Sequence, residues 1–475
     1  MAELLFEART NLGGMSGRLQ FFQRPPEIHP EPLLQADTEA DGGMLSLYGS
    51  VLRDGGKFRM WYYAAPRRRS VPNDANFVAY AESDDGLHWV KPALGLVMPE
   101  LPENNLTGLG LHSATVFIDP DSPAEFRYRA TGCGRREYAN PFQQFTQPGY
   151  YTAHSADGLR WTLDSPEPRW RMIDVITSIW HPGRHCGLIA LKRTPTLLRM
   201  ARRSIHTAEF RDGVYSDDVS ALYPDEYDDM LAAHRGYHSA DYYGMGMMPA
   251  GTATVGFLWN FWHAVPYYRG FGNGPQALYG TSDVTLVYQP EPGGRWLHLP
   301  GRPLFIDHER LPWRTGWVNT AANVIEVGNE QRLYFSARNT THGFGLDEGW
   351  KPLPAADRSQ ETSYITFAHW PKWRLFGFES LPEGTLEIRL GDLAQPSELR
   401  LNYEMNRPHG SIRAALTGAE GSVRDLTDSL PLTGSALAGR VEWKTGAVIP
   451  PTPNAKLTLH LQNARVYAYE VTSAG

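Results

Sequence analysis

Cysteine is nearly absent. Cys133 and Cys186, two residues in 475, cannot make a disulfide framework, so packing must hold the fold and both are expected as free thiols. Long apolar runs are missing too. No stretch reaches the roughly 20 residues of a membrane helix, so no membrane partner is expected. The opening Met1-Ala2-Glu3-Leu4-Leu5-Phe6-Glu7 carries acids where a secretory signal needs basic residues, which points to a cytoplasmic protein. Positive charge is not in surplus. A net charge of -7 advertises no phosphate-binding surface, so nucleic acid is not an expected partner. There is no H-E-x-x-H, no cysteine pair at zinc spacing and no EF-hand loop, and the histidines (His112, His181, His185, His238, His342) are scattered. No metal is expected. Without a Walker lysine, a dinucleotide fingerprint or a G-x-S-x-G elbow, no cofactor is expected either.

Glycine, proline and aromatic residues are plentiful. The 46 Gly and 36 Pro break long helices, whereas 14 Trp and 23 Tyr suit strands. The length fits two or three units, and a homo-oligomer is compatible with the composition. The runs 44–52 and 57–64 flank Asp54-Gly55-Gly56 and read as a hairpin, which 76–82 extends into a meander. The meander ends in Ser83-Asp84-Asp85-Gly86-Leu87-His88-Trp89. A near copy stands at Ser155-Ala156-Asp157-Gly158-Leu159-Arg160-Trp161. In each, the Asp caps a turn, the Gly accepts a positive φ and the Trp packs on neighbours. Weaker echoes near Ser204, Ser282 and Ser363 bring the number of turns to five, which predicts a five-bladed β-propeller. A large β-sandwich is the alternative. The acidic stretch 223–233 reads as a short helix or loop inserted over one blade. Beyond about Phe378 aromatics thin out and alternation becomes regular, as in Lys456-Leu457-Thr458-Leu459-His460-Leu461-Gln462. The boundaries predicted are 1–378 for the propeller and 379–475 for an all-β sandwich.

A propeller gathers the entry ends of its innermost strands around an axial cavity. Acids placed there by successive blades are the candidates for chemistry. Glu39 and Asp41 precede the first blade, Asp119 follows the apolar run 114–118, and Asp174 precedes the strand at 175–176. Two carboxyl groups facing across a cavity are the apparatus of glycoside hydrolysis. Each acid also has a structural reading: Asp119 as a turn cap, Asp174 as a partner of Arg171 or Arg193, and Glu39 and Asp41 as solvated groups. Trp61, Tyr243, Trp259 and Trp317 offer platforms for sugar faces, with interblade core as the alternative. Asp225, Glu226 and Asp241 are further candidates at the cavity mouth.

These residues resemble the five-bladed furanosidase superfamily of invertases, levanases, arabinanases and β-xylosidases. Phe117-Ile118-Asp119-Pro120 is similar to its F-R-D-P motif, with Ile for Arg. Asp174-Val175 stands where its E-C motif would be, and the first-blade motif W-M-N-D-P-N-G has no counterpart. Arg59-Met60-Trp61-Tyr62, Lys91-Pro92-Ala93-Leu94-Gly95-Leu96 and Gly410-Ser411-Ile412-Arg413 look like pieces of a bacterial branch related to it. The resemblance implies a glycoside hydrolase cleaving a furanoside or small oligosaccharide. In it Asp41 or Glu39 would be nucleophile or base, Asp174 the general acid and Asp119 a holder of sugar hydroxyls. Altered motifs leave two other readings: a non-catalytic carbohydrate-binding propeller, and a transglycosidase or lyase on the same scaffold.

Overall fold

The computed structural model describes residues 3–4, 12–64, 66, 77–135, 145–172, 174–197, 200–265, 278–347, 351, 353 and 361–474. Asn76 and Ile173, which fall in expected strand runs, lie outside this set. The chain forms two compact units, one of 27–325 and 332–369, the other of 1–26, 326–331 and 370–475.

The larger unit is a propeller of five antiparallel blades. Their innermost strands are Leu45–Asp54, His112–Ile118, Ile176–His181, Ala240–Ala250 and Trp317–Thr320. Blade 1 continues outward through Lys57–Ala64 and Phe77–Ser83, and blade 3 through Cys186–Arg193 and Ser204–Arg211. Blade 5 ends in Ser363–Pro371, whose outer edge is taken by Glu27–Ile28 and Leu34–Gln35 from the start of the unit. The ring is therefore closed by hydrogen bonds between distant segments of chain. Among the described residues the one α-helix is Glu226–His234, where the acidic insertion was expected. No described helix is long and apolar enough to cross a membrane.

The repeated Ser-x-Asp-Gly turn has the predicted mechanics and an additional role. Asp85 Oδ1 accepts from Leu87 N (2.7 Å) and His88 N (2.8 Å), and Asp157 Oδ1 accepts from Leu159 N and Arg160 N (both 2.8 Å). Gly86 and Gly158 sit at φ 73° and 79°. Each glycine carbonyl then accepts a hydrogen bond from an aromatic residue of the preceding blade. Tyr334 OH donates to Gly86 O at 2.7 Å and Trp61 Nε1 to Gly158 O at 2.7 Å. The turn is thus a bolt between blades. The weaker echoes are not such turns: Ser204–Arg211 and Ser363–Pro371 are strands.

The smaller unit is a curled nine-stranded antiparallel sheet in which 397–405, 411–418 and 452–462 alternate as expected. Leu399, Leu401, Ile412, Leu416, Leu457, Leu459 and Leu461 all point into one core. Leu12–Gln23 pairs with Phe376–Leu393 and belongs to this unit, whereas the sequence predicts everything before 379 to be propeller. Both cysteines are free and buried.

Replacing Gly158 by Ala tests the bolt. The left-handed backbone alone costs about 1–2 kcal/mol. In addition, the new Cβ would lie 2.8 Å from Trp61 Cζ2. A urea midpoint unchanged from wild type would refute this role for the turn.

Candidate active site

The starts of the innermost strands carry a cluster whose charged groups come from blades 2, 3 and 4 and whose aromatic neighbours include Tyr48 of blade 1 and Trp317 of blade 5. Asp174 stands just before the blade 3 strand, with its side chain 21% exposed. Its backbone is strained at φ 146°, a conformation L-residues adopt only under constraint. Lys192, at the end of the neighbouring strand, donates to Asp174 Oδ2. His112 Nε2 and Arg135 Nη2 approach Oδ1 at 3.7 and 3.8 Å from blade 2. Blade 2 is also irregular here: Ser113 has φ 51° and the strand register shifts between His112 and Thr115.

A second buried acid, Asp241, opens the blade 4 strand. Arg202 Nε and Arg203 Nη1 each lie 3.4 Å from its oxygens and His263 Nε2 lies 3.2 Å away. Arg202 also makes a bidentate pair with Asp229 (2.7 and 3.0 Å), which ties the inserted helix to this cluster. Tyr243 stands between the two acids. Lys192 Nζ lies 4.1 Å from its ring centroid and the Arg203 guanidinium 5.2 Å. Its hydroxyl meets His342 Nε2 at 3.0 Å, and Trp317 packs edge-on against its ring at 4.8 Å. Tyr48 of blade 1 lies 5.6 Å from the His112 ring.

The electrostatics follow from burial and pairing. Burial opposes the charged form of Asp174, but Lys192, His112 and Arg135 outweigh it and hold the carboxyl well below its usual range. Burial also opposes ionisation of Asp241, yet His263, Arg203 and Arg202 lower it. Lys192 is pulled down to about 8 by burial, with Asp174 resisting. Burial and then Arg203 push His342 down to about 3, so its imidazole is neutral. Burial raises the Tyr243 phenol far above its ordinary value. Both acids are therefore anions, and Lys192 is the cation nearest to losing its proton.

The other expected residues lie elsewhere. Asp41 is fully buried in a 3-10 capping box, where Oδ2 accepts from Thr38 Oγ1 and Lys91 Nζ (both 2.7 Å) and Oδ1 from Tyr62 OH (2.8 Å). Consecutive strand residues face opposite sides. Tyr62 therefore holds Asp41 on one face of blade 1, while Tyr63 meets His112 on the other. Glu39 is exposed in the same short helix. Asp119 follows the far end of the blade 2 inner strand, about 20 Å from His112 at about 3.3 Å per residue. There it accepts from Ser122 Oγ (2.5 Å) and Asp121 N (3.1 Å), a turn cap. The structure does not bring Asp119 or Asp41 to Asp174. Trp61 lies in the interblade core, and Trp259 is buried with Nε1 on Thr320 Oγ1 (2.9 Å). Glu226 is exposed in the first turn of the helix and Asp225 caps it, paired with Arg302. Only Asp174, Asp241, Tyr243 and Trp317 of the expected set come together. Sequence reasoning passed over Lys192, Arg135, Arg203 and His263. The one local signal was a lysine closing the apolar strand 187–191.

Asp283, Asp307 and His308 are close enough to suggest a cation site. However, Asp283 already accepts from His308 N (2.6 Å), His308 Nδ1 (2.7 Å), Trp262 Nε1 (2.7 Å) and Arg235 (3.1 Å). Its lone pairs are taken and Arg235 supplies the positive charge.

Removing Asp41 takes the buried carboxylate from Lys91, which keeps Gln35 O and Asp37, and from Tyr62, which keeps Asn105, so Asp41→Ala is expected to cost about 3 kcal/mol of stability. Asp119→Ala is expected to cost about 1 kcal/mol. Denaturant melts of the two variants check the difference, and equal small losses would contradict the buried-anchor role of Asp41.

No protein family and no curated protein sequence matches the chain. Solved structures resemble it in architecture. The GH32 β-fructofuranosidase of Bombyx mori is 11% identical over 94% of this chain and 95% of its own, with a TM-score of 0.43. The exo-inulinase of Aspergillus awamori is 11% identical over 95% and 98%, with a TM-score of 0.37. An N-acetylgalactosamine deacetylase from F. plautii, in complex with blood group B trisaccharide, is 15% identical over 74% and 96%, with a TM-score of 0.44.

Proposed function

We propose that the protein is a glycoside hydrolase acting on a furanoside or small oligosaccharide at the axial cluster. The observation that carries this reading is Asp174. It is a carboxylate held ionised by Lys192 on strained backbone, with His112 and Arg135 of blade 2 beside it. Breaking a glycosidic bond builds positive charge at the anomeric carbon. A fixed anion beside that carbon lowers the barrier, either as nucleophile or as electrostatic partner. The resemblance gives Asp174 the general-acid role instead, but a carboxyl kept ionised has no proton to give. Lys192, protonated at neutral pH and titrating near 8, is the group in contact with Asp174 that can protonate the leaving oxygen. Asp241 is the second carboxylate, and Tyr243 and Trp317 are the aromatic wall for the sugar ring.

The binding-module reading also has an observation in its favour. Asp174 and Asp241 are both held as anions, and neither is the protonated acid that hydrolysis ordinarily uses. A panel of chromogenic glycosides with calorimetry separates the two readings. Asp174→Asn is expected to lower kcat by about 10³-fold with KM nearly unchanged, while Asp119→Asn leaves turnover intact. Sugar binding without turnover in the wild type would favour the module.

The pH profile follows from the same groups. Lys192 is charged below about 8, so activity should fall as pH rises through that value. The acid limb should lie below the ordinary carboxylate range because Asp174 stays ionised there. Lys192→Met should abolish the alkaline limb and move the acid limb upward as Asp174 loses its partner. An unchanged profile would exclude Lys192 from the step.

A further inference from the structure

The axial cluster holds more positive charge than negative. Lys192 and Arg135 stand beside Asp174, and Arg202 and Arg203 beside Asp241. Asp229 of the inserted helix is a third carboxylate and pairs with Arg202. Among the described residues of the cluster, four cations therefore meet three anions. The neighbouring pair of Arg338 and Glu361, at 4.0 Å, is balanced. The imidazoles do not alter the sign. Burial, only partly offset by Asp174, lowers His112, and His342 is neutral as well. The cations also crowd one another. Beyond burial, Arg203 and Arg135 both lower Lys192 against the pull of Asp174.

An unbalanced charge is costly away from water. The Lys192 side chain is 4% exposed and that of Arg203 9%. Glycosidic cleavage builds further positive charge at the anomeric carbon. A neutral sugar leaves both without compensation, whereas a sugar with its own carboxylate restores the balance. Exposure sets the place for that carboxylate. Arg135, 19% exposed, is the most open of the four cations, and the two groups it neighbours, Asp174 and His112, are partly exposed with it. Its Nη2 stands 3.8 Å from Asp174 Oδ1, longer than a hydrogen bond, so the two meet as charges. The planar fork of a guanidinium matches a carboxylate in shape as well as in charge.

We propose that the sugar unit taken at the axial cluster is acidic, a uronate whose carboxylate pairs with Arg135 while its anomeric carbon faces Asp174. This names a substrate class for the hydrolase reading and rests on that reading. A free inorganic anion beside a neutral sugar is the other source of the same charge.

Calorimetry on the full chain at pH 7 tests this, with galacturonate, glucuronate, the methyl ester of each, and inorganic phosphate. At least one free acid is expected to bind about 10-fold or more tightly than its neutral ester. Arg135→Gln should bring acid and ester to equal affinity, and Arg135→Lys, which keeps the charge, should retain part of the preference. If Arg135→Gln misfolds, the wild-type comparison of acid with ester decides. The proposal is overturned if neither acid binds, if the preference over the ester is smaller, if a folded Arg135→Gln keeps it, or if phosphate binds and the acids do not. Binding is read without turnover, so the acid preference stands or falls apart from hydrolysis. Cleavage of a neutral furanoside without an acid preference would keep the hydrolase reading and end this one.

Discussion

The innermost strand of a propeller blade has one edge that its own sheet cannot pair. Those edges face the axis, where unpaired backbone groups would be costly. Here the edges are answered across blades. Ser50 Oγ accepts from Val116 N (2.9 Å), Gly49 O from Ala322 N (2.9 Å) and Ala322 O from Met247 N (2.7 Å). Thr177 Oγ1 donates to Met245 O at 2.5 Å and Ser46 Oγ to Asn319 Oδ1 at 3.0 Å. These small hydroxyl and amide side chains plug the axis along the strands. The candidate chemistry sits at the strand starts, while charge at the opposite end, as in Asp54 with Arg127 and Tyr128, is paired between blades.

Charge at those starts must then be stabilised in a largely dry setting. A buried carboxylate survives by pairing, and its partners are shifted in turn. Asp174 keeps its charge because Lys192 is beside it, and Lys192 titrates early because it is buried. Tyr243, flanked by Lys192 and Arg203, couples this pair to Asp241 through its ring face. Removing any one member leaves the others mismatched. The strained backbone at Asp174 carries a carboxyl that meets Lys192 and His112.

The two Ser-x-Asp-Gly turns show how far local sequence reaches. Their geometry was legible because an Asp accepting from two amides and a Gly at positive φ are local facts of chain stereochemistry. That their carbonyls bolt Trp61 and Tyr334 of other blades was not legible, because those donors are 97 and 248 residues distant. The same limit explains Asp119 and Asp41. Each has a motif-like neighbourhood, yet strand direction and side-chain alternation, set only once the blades form, send them away from Asp174.

The amino-acid sequence by itself determined that this protein is built of β-strands, that one Ser-x-Asp-Gly turn occurs twice, that a regular alternating sheet follows, and that no disulfide framework supports the whole. Strand period, turn chemistry and composition act over a few residues and can be read directly. Which acids share a site was decided by the tertiary structure alone. Circular closure joins Glu27–Ile28 to Ser363–Pro371 and sets Asp174, Lys192, Asp241 and Tyr243 side by side. Burial then fixes their charges, and burial is a property of the assembled ring, which no single segment carries.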